Sequence, residues 1–556
     1  MILVSPAFAL VAVFVLFPLG FAVYISLTDW PLIGPYHFIG GANYSELIHD
    51  PGFVHSVLFT LIYTAIVTGP ILVVGYAMAV LVRANRRGAV FFRTAFFLPF
   101  IVGLATESFM LLLELQPDSG AADYVLSKLG LAHENTAWTV QYNLALTAIC
   151  VFVIWFASGL TMMILMAGMQ GIPRELYEAS EVDGATWWQK ERRITLPLLR
   201  RNIALALIIS VIGSFLAFNQ FYILTEGGPG TSTQPVVMWI YEEAFVQYHL
   251  GYATAGAIAL VIVVGIISAA QFYLLRDDRA VKRPGFILYL TAGTLASVLF
   301  LLPLAWAVLR SFMPSDLVTQ APSGTDFSHL TTANYTGLIS ANDILHYALN
   351  SLLVAVGTGV LTALVATMAG YGFARFRFRG SGMVFALVLA TLMVPFQALL
   401  TPLFLEMHSL RLTNSLVGLA LFYTTFNLPF GVFVMRNTFL QIPWELSEAA
   451  AVDGASIVRT LVSVLRPLIL PGIATTVLYA FLFSWTEFVG ALTFLTTQSL
   501  YTLPLALLNL EYGSVGQVNF GYLEAGAVIA MVPCVLLYIG LQRFYIRGLT
   551  SGVVKG

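Results

Sequence analysis

Residues 172–197 read IPRELYEASEVDGATWWQKERRITLP, and residues 442–467 read IPWELSEAAAVDGASIVRTLVSVLRP. The two stretches stay in register at one offset, 270 residues: Glu178-Ala179 with Glu448-Ala449, Val182-Asp183-Gly184-Ala185 with Val452-Asp453-Gly454-Ala455, and Pro197 with Pro467. A repeat at a fixed offset means one architecture used twice. The same offset relates Gly251-Tyr252 to Gly521-Tyr522, and Ala42-Asn43-Tyr44 returns as Ala333-Asn334-Tyr335.

Each island is polar and lies between long apolar segments. Pro173 and Pro443 suit a first helical position, where the missing N–H costs nothing. Gly184 and Gly454 follow about three turns later, where glycine ends a helix in the left-handed conformation without steric cost. The pattern predicts a short helix, a tight stop and a second helix entering the next apolar segment. Small alanines on such a helix let another backbone approach, which suits a docking knob better than a catalytic pocket.

With 59% hydrophobic and 10% charged residues and a mean hydropathy of +0.86, the chain is outside the range of soluble proteins. A spanning helix needs about 20 mainly apolar residues. Twelve segments qualify: 4–27, 56–82, 94–115, 143–168, 203–224 and 253–275, then 286–310, 347–373, 383–405, 414–436, 471–492 and 521–543. Long unalternating runs exclude a membrane β-barrel. The expected fold class is therefore an all-α polytopic membrane protein with two six-helix repeats. An even number of spans per half makes the repeats parallel, related by an axis along the membrane normal, with a seam where a solute could pass.

Lys and Arg set the orientation. If the first span runs outward, only Lys128, Arg310 and Arg411 of the 26 basic residues fall outside. Both islands, both termini and the charged linker 276–284 are then cytoplasmic. The expected domains are 1–275 and 285–556. All eight histidines fall on the outer side without metal-ligand spacing, and Cys150 and Cys534 lie in apolar runs, so no metal site or disulfide is expected. The net charge of −2 gives no support for nucleic-acid binding. Arg375, Arg377 and Arg379 form a basic stripe read as an inner-edge orientation signal. None of the four lysines sits in a Gly-x-x-x-x-Gly-Lys-Ser/Thr phosphate loop, and no Gly-x-Ser-x-Gly elbow or His-Glu-x-x-His run occurs.

The islands carry a resemblance. Glu-Ala-Ala, then Gly, then a hydrophobic-x-x-Pro ending is similar to the "EAA" coupling loop in the membrane subunits of binding-protein-dependent ABC importers, and Asp-Gly-Ala in both copies resembles their carbohydrate branch, including the permeases for maltose-like sugars and glycerol phosphate. Ser180 departs by replacing an alanine, and Val464-Leu465-Arg466-Pro467 departs from the usual Ile-x-Leu-Pro. The resemblance implies a type I importer permease fold with both membrane subunits fused in one polypeptide. It implies no enzymatic role for the chain, because a separate cytoplasmic ATPase dimer binds ATP and Mg. Its partners would be that ATPase, docked through Glu178, Ala179, Asp183, Gly184, Pro197, Glu448, Ala449, Asp453, Gly454 and Pro467, and an extracytoplasmic solute-binding protein. The location would be a bacterial inner membrane. Family members usually begin with a basic tail, so the resemblance leads us to expect a truncated or misassigned start at the apolar Met1.

Phe218-Asn219-Gln220-Phe221 resembles the Phe-Asn-Asn-Phe run of the maltose transporter's larger subunit. Asn219 and Gln220 could bond sugar hydroxyls; they could equally join helices, as Asn and Gln do in bilayers. Ser210 and Ser214 lie on a similar helical face. The loop 225–230 reads as a tight turn and, by resemblance, as part of the binding-protein surface. Glu107, Glu406, Glu487 and Glu524 lie in or near spans, where an acid is a functional suspect, although most fall toward outer ends that water can reach. Alternatives are an ion-coupled secondary transporter with the same 6 + 6 plan, and a fused permease for iron or thiamine, which usually carries Leu-Gly-Ala.

Overall fold

The computed structural model describes residues 3–553 except 32–33, 84–87, 118–119, 131–132, 134–135, 275–285, 315–317, 319–329, 342, 377 and 513–518. Backbone alone is described for 121, 174, 268–274, 286–296, 299, 341, 393, 511–512 and 541–553. The linker 276–284, together with Arg86, Arg87, Arg377 and Lys555, lies outside the described residues.

The described chain is helical, with only two isolated β-bridges, Thr28 to Phe38 and Pro31 to His249. The first half contains α1 (Ser5–Ser26), α2 (Pro51–Val82), α3 (Ala89–Val102), α4 (Leu104–Glu114), α5 (Tyr142–Gln170), α6 (Arg174–Val182), α7 (Arg200–Phe215), α8 (Asn219–Leu224) and α9 (Leu250–Leu274). The second contains α10 (Phe286–Arg310), α11 (Ile344–Arg375), α12 (Ser381–Ala390), α13 (Leu400–Ser409), α14 (Leu416–Leu440), α15 (Glu445–Val452), α16 (Ile457–Thr486), α17 (Val489–Phe494) and α18 (Phe520–Val553).

All twelve apolar segments are helical, but they are not twelve uninterrupted spans. Eight helices among the described residues are long and apolar enough to cross a membrane, or nine if α3 and α4 count as one. That pair bends by 92° at Gly103, whose φ of +96° is open to glycine and strained for other residues. A side chain there would also collide with Thr486 of the other half. Segment 203–224 breaks between Phe215 and Asn219, and segment 383–405 breaks into two short 3₁₀ turns flanking Pro395, which supplies no backbone N–H.

Lipid is as apolar as leucine, so close packing and hydrogen bonds hold such a bundle together. In each half three helices form the centre, α2 with α5 and α7, and α11 with α14 and α16. A Cβ at Gly431 of α14 would stand 2.9, 3.0 and 3.3 Å from side-chain atoms of Thr476, Ala366 and Thr362, so a side chain there would push α16 and α11 away from α14.

The first helix of each half packs on the other half. Val4, Ala7 and Val11 of α1 share a buried core with Val365, Ala369 and Met435, and Phe300 of α10 packs against Phe96 and Trp155, with ring centres 5.6 and 6.2 Å apart. The repeat also appears in side-chain detail. Asn43 donates to the carbonyls of Ser26 and Thr28 at 2.9 and 2.8 Å, and Asn334 donates to those of Ser311 and Met313 at 3.0 and 2.6 Å. Tyr44 bonds the Ser26 hydroxyl at 2.7 Å, and Tyr335 bonds that of Ser311 at 2.6 Å. The two asparagines thus tie down the same corner twice.

Candidate coupling loops and central cavity

Both islands fold as the spacing predicts, with one shift. Pro173 is the residue before the first turn of α6, and Pro443 precedes the cap of α15, so neither occupies a first helical position. Each helix ends at its glycine, with φ of +64° at Gly184 and +73° at Gly454. Ala185 N–H donates to the Ser180 carbonyl and Gly184 N–H to that of Glu181; Ala455 donates to Ala450 and Gly454 to Ala451 in the same pattern. This double bond pattern satisfies carbonyls that a helix end leaves open, and it requires the left-handed residue.

The expected docking residues are presented outward. Glu178, Ala179, Asp183, Gly184, Glu448, Ala449, Asp453 and Gly454 are all exposed. Pro197 sits in the turn leading into α7, and Pro467 lies within α16, just after its π-helical stretch Thr460–Leu465. Two residues not singled out from sequence stand out here: Val182 is 89% exposed and Val452 is 88% exposed. They are matched apolar side chains exposed at the ends of two equivalent helices. Their signal was available, since both precede the repeated Asp-Gly.

The loops are anchored differently. In the first, Glu191 accepts from Arg83 at 2.6 Å and from the Tyr76 hydroxyl, tying the loop to the end of α2. Lys190 pairs with Glu181 at 2.7 Å, and Tyr177 bonds Thr195 at 3.1 Å. In the second, Arg375 at the end of α11 donates to the Ile442 carbonyl at 2.9 Å, and Trp444 donates to Glu448 at 2.6 Å.

Between the halves lies a cavity of about 380 Å³, in the size range of small-molecule sites. It forms where the helices break: the gap between α7 and α8 faces the gap between α16 and α17, and Phe100 and Phe396 contribute from the bent segments. Its polar wall includes Asn219, Gln397 and Glu487. Asn219 Oδ1 and Gln397 Oε1 are buried without a hydrogen-bond partner. Glu487 accepts from the Tyr423 hydroxyl at 2.6 Å and from Gly490 N–H at 2.9 Å.

Of the four pathway residues expected from sequence, only Asn219 reaches this wall. Gln220 points elsewhere and donates to the Tyr63 hydroxyl at 3.1 Å, so it joins α8 to α2. Ser214 donates to the Ser210 carbonyl at 2.9 Å within α7, and neither serine lines the cavity. Glu524 is 3.4 Å from Arg310, an ion pair that neither residue's position had suggested.

The model of the family described as binding-protein-dependent transport system inner membrane component matches residues 1–283 and 359–551. The chain belongs to this family. A probable ABC transporter permease protein of Pyrococcus horikoshii is 35% identical over 269 residues, covering 48% of this chain and 92% of the relative. The trehalose transport system permease protein SugB of Mycobacterium tuberculosis is 32% identical over 259 residues, with coverages of 46% and 93%. The arabinooligosaccharides transport system permease protein AraQ of Bacillus subtilis is 32% identical over 282 residues, with coverages of 49% and 98%. A solved bacterial alginate ABC transporter in complex with alginate pentasaccharide-bound periplasmic protein is 21% identical, with a TM-score of 0.44, covering 49% of this chain and 92% of that one. The Pyrococcus, Mycobacterium and Bacillus relatives are each matched over nearly their whole length by about half of this permease, as expected for two permease bodies in one polypeptide. The permease is thus a multi-pass membrane component of a transport system, and the proteins it resembles are permeases rather than enzymes.

Proposed function

We propose that the chain forms the complete translocation pathway of an ATP-driven importer for a carbohydrate or related polyol in a bacterial inner membrane. The observation that carries this reading is the pair of exposed helices α6 and α15, each ending at a left-handed glycine with the same hydrogen bonds. Each enters one subunit of a separate ATPase dimer on the cytoplasmic side, where the chain's termini also lie. ATP and Mg are bound by that partner. Closure of the dimer draws α6 and α15 together and tilts the halves, and the cavity at the helix breaks opens toward a solute-binding protein.

The carbohydrate class is supported by the trehalose and arabinooligosaccharide permeases among the relatives and by the chemistry of the cavity. Unpartnered amide groups from both halves, set among aromatic rings, suit hydroxyl-bearing rings. The domains are taken as 1–275 and 285–556, joined by 276–284. The test is uptake in proteoliposomes that hold the chain and a sugar-importer ATPase, with a sugar-loaded binding protein outside. ATP inside should drive sugar entry; entry driven by a proton gradient without the ATPase would contradict the proposal.

A further inference from the structure

The unequal anchoring of the two loops leaves a charged cleft open in the second half. In the first half the cation at the foot of the loop is matched, Arg83 by Glu191. The residue 270 positions after Glu191 is Leu461, which brings no charge. The second half's cations, Arg375 and Arg436, instead line a cleft of about 730 Å³ together with Phe376, Phe378, Leu440 and Trp444. Arg375 lies 5.2 Å from the Trp444 ring centre, and Arg436 lies 4.4 Å from that of Phe385. Arg375 is 9% exposed, and its Nε is buried without a partner. Among the described residues no carboxylate is paired with either arginine; Glu445 acts on Arg375 only from beyond ion-pair distance.

Two guanidiniums, one with an unused donor, stand over aromatic and apolar side chains at the ends of two membrane-crossing helices, α11 and α14. A guanidinium fork matches the oxygens of a phosphate, and basic pockets between helices at the inner membrane edge hold anionic headgroups. We propose that this cleft binds the phosphate of an anionic phospholipid headgroup, which gives the second half's arginines the counter-charge that Glu191 gives Arg83 in the first. The consequence reaches the loop. Trp444, against which Arg375 lies, donates to Glu448 at 2.6 Å, so an occupied cleft fixes the start of α15.

The test uses the purified full chain in mixed micelles of phosphatidylglycerol and phosphatidylcholine, with retained lipid identified by native mass spectrometry. The wild type should retain phosphatidylglycerol over phosphatidylcholine by about tenfold. Arg436→Gln should reduce that preference to near unity, and it leaves the Arg375 bond to Ile442 untouched; an unchanged elution profile and melting temperature show that it folds. Arg375→Gln should act in the same direction. Arg459→Gln, which removes an exposed charge from the same loop, should change nothing. Equal retention of the two lipids by the wild type, or equal losses in the Arg436 and Arg459 variants, would overturn the proposal. Displacement of the lipid by millimolar glycerol 1-phosphate would assign the cleft to a free phosphate instead. Unchanged lipid retention in Arg436→Gln with weakened ATPase binding would assign it to a protein carboxylate.

Discussion

Arg83 and Glu191 form a buried ion pair, 2.6 Å apart and with side chains 4% and 2% exposed, that fastens the first loop to the end of α2. Both charges are out of water, so removing one partner leaves the other uncompensated. Breaking such a pair costs about 3–5 kcal/mol, whereas replacing both members with apolar residues is often neutral. Glu191→Gln and Arg83→Gln should each lower the melting temperature of the solubilised chain, and Arg83→Met with Glu191→Leu should recover most of the loss. A double variant as unstable as the sum of the singles would show that the pair does not act as a unit.

Gly454 should tolerate side chains in order of their left-handed cost. A Cβ there meets no atom within 4 Å, so any penalty is backbone strain, about 1–2 kcal/mol for an ordinary residue. Gly454→Asn should couple nearly normally, Gly454→Ala less well, and Gly454→Val should separate ATP hydrolysis from uptake. Normal sugar-stimulated ATPase activity in the valine variant would contradict this.

Val182 and Val452 should matter to assembly and not to folding. Surface changes away from packed features usually stay within about 0.5 kcal/mol. Val182→Asp and Val452→Asp should therefore leave the melting temperature of the isolated chain unchanged and reduce the amount of ATPase that copurifies. Unchanged copurification would remove these valines from the interface.

In the cavity, Asn219→Leu and Gln397→Leu should each raise the KM for sugar by about two- to tenfold, the worth of one neutral hydrogen bond. Gln220→Leu should spare KM and lower thermal stability, because it strands the buried Tyr63 hydroxyl. A larger KM effect from Gln220 than from Asn219 would reverse the assignment.

The repeat, the loops and the two bodies were legible because they depend on local chemistry that recurs: Pro, Glu-Ala, Asp-Gly. The helix breaks were not. A window of about 20 residues averages across Gly103 and Pro395 and reports one span where the backbone turns. Gln397 was overlooked for the same reason, since it lies inside an apolar run and its counterpart region in the first half offers only Phe100 and Ile101. Asn219 and Gln220 were read together, yet adjacent residues on a helix point about 100° apart, so when one faces the cavity the other faces a neighbouring helix. The crossing of α1 and α10 onto opposite halves depends on long-range packing and leaves no mark in spacing.

The decisive measurement is ATPase activity in proteoliposomes holding the chain and a sugar-importer ATPase, with and without sugar-loaded binding protein, for the wild type and for the double variant Glu178→Lys with Glu448→Lys. If α6 and α15 transmit the signal, loaded binding protein stimulates hydrolysis in the wild type and fails to do so in the double variant, while the isolated chain keeps its melting temperature. Equal stimulation of both proteins would show that these loops do not couple the permease to ATP.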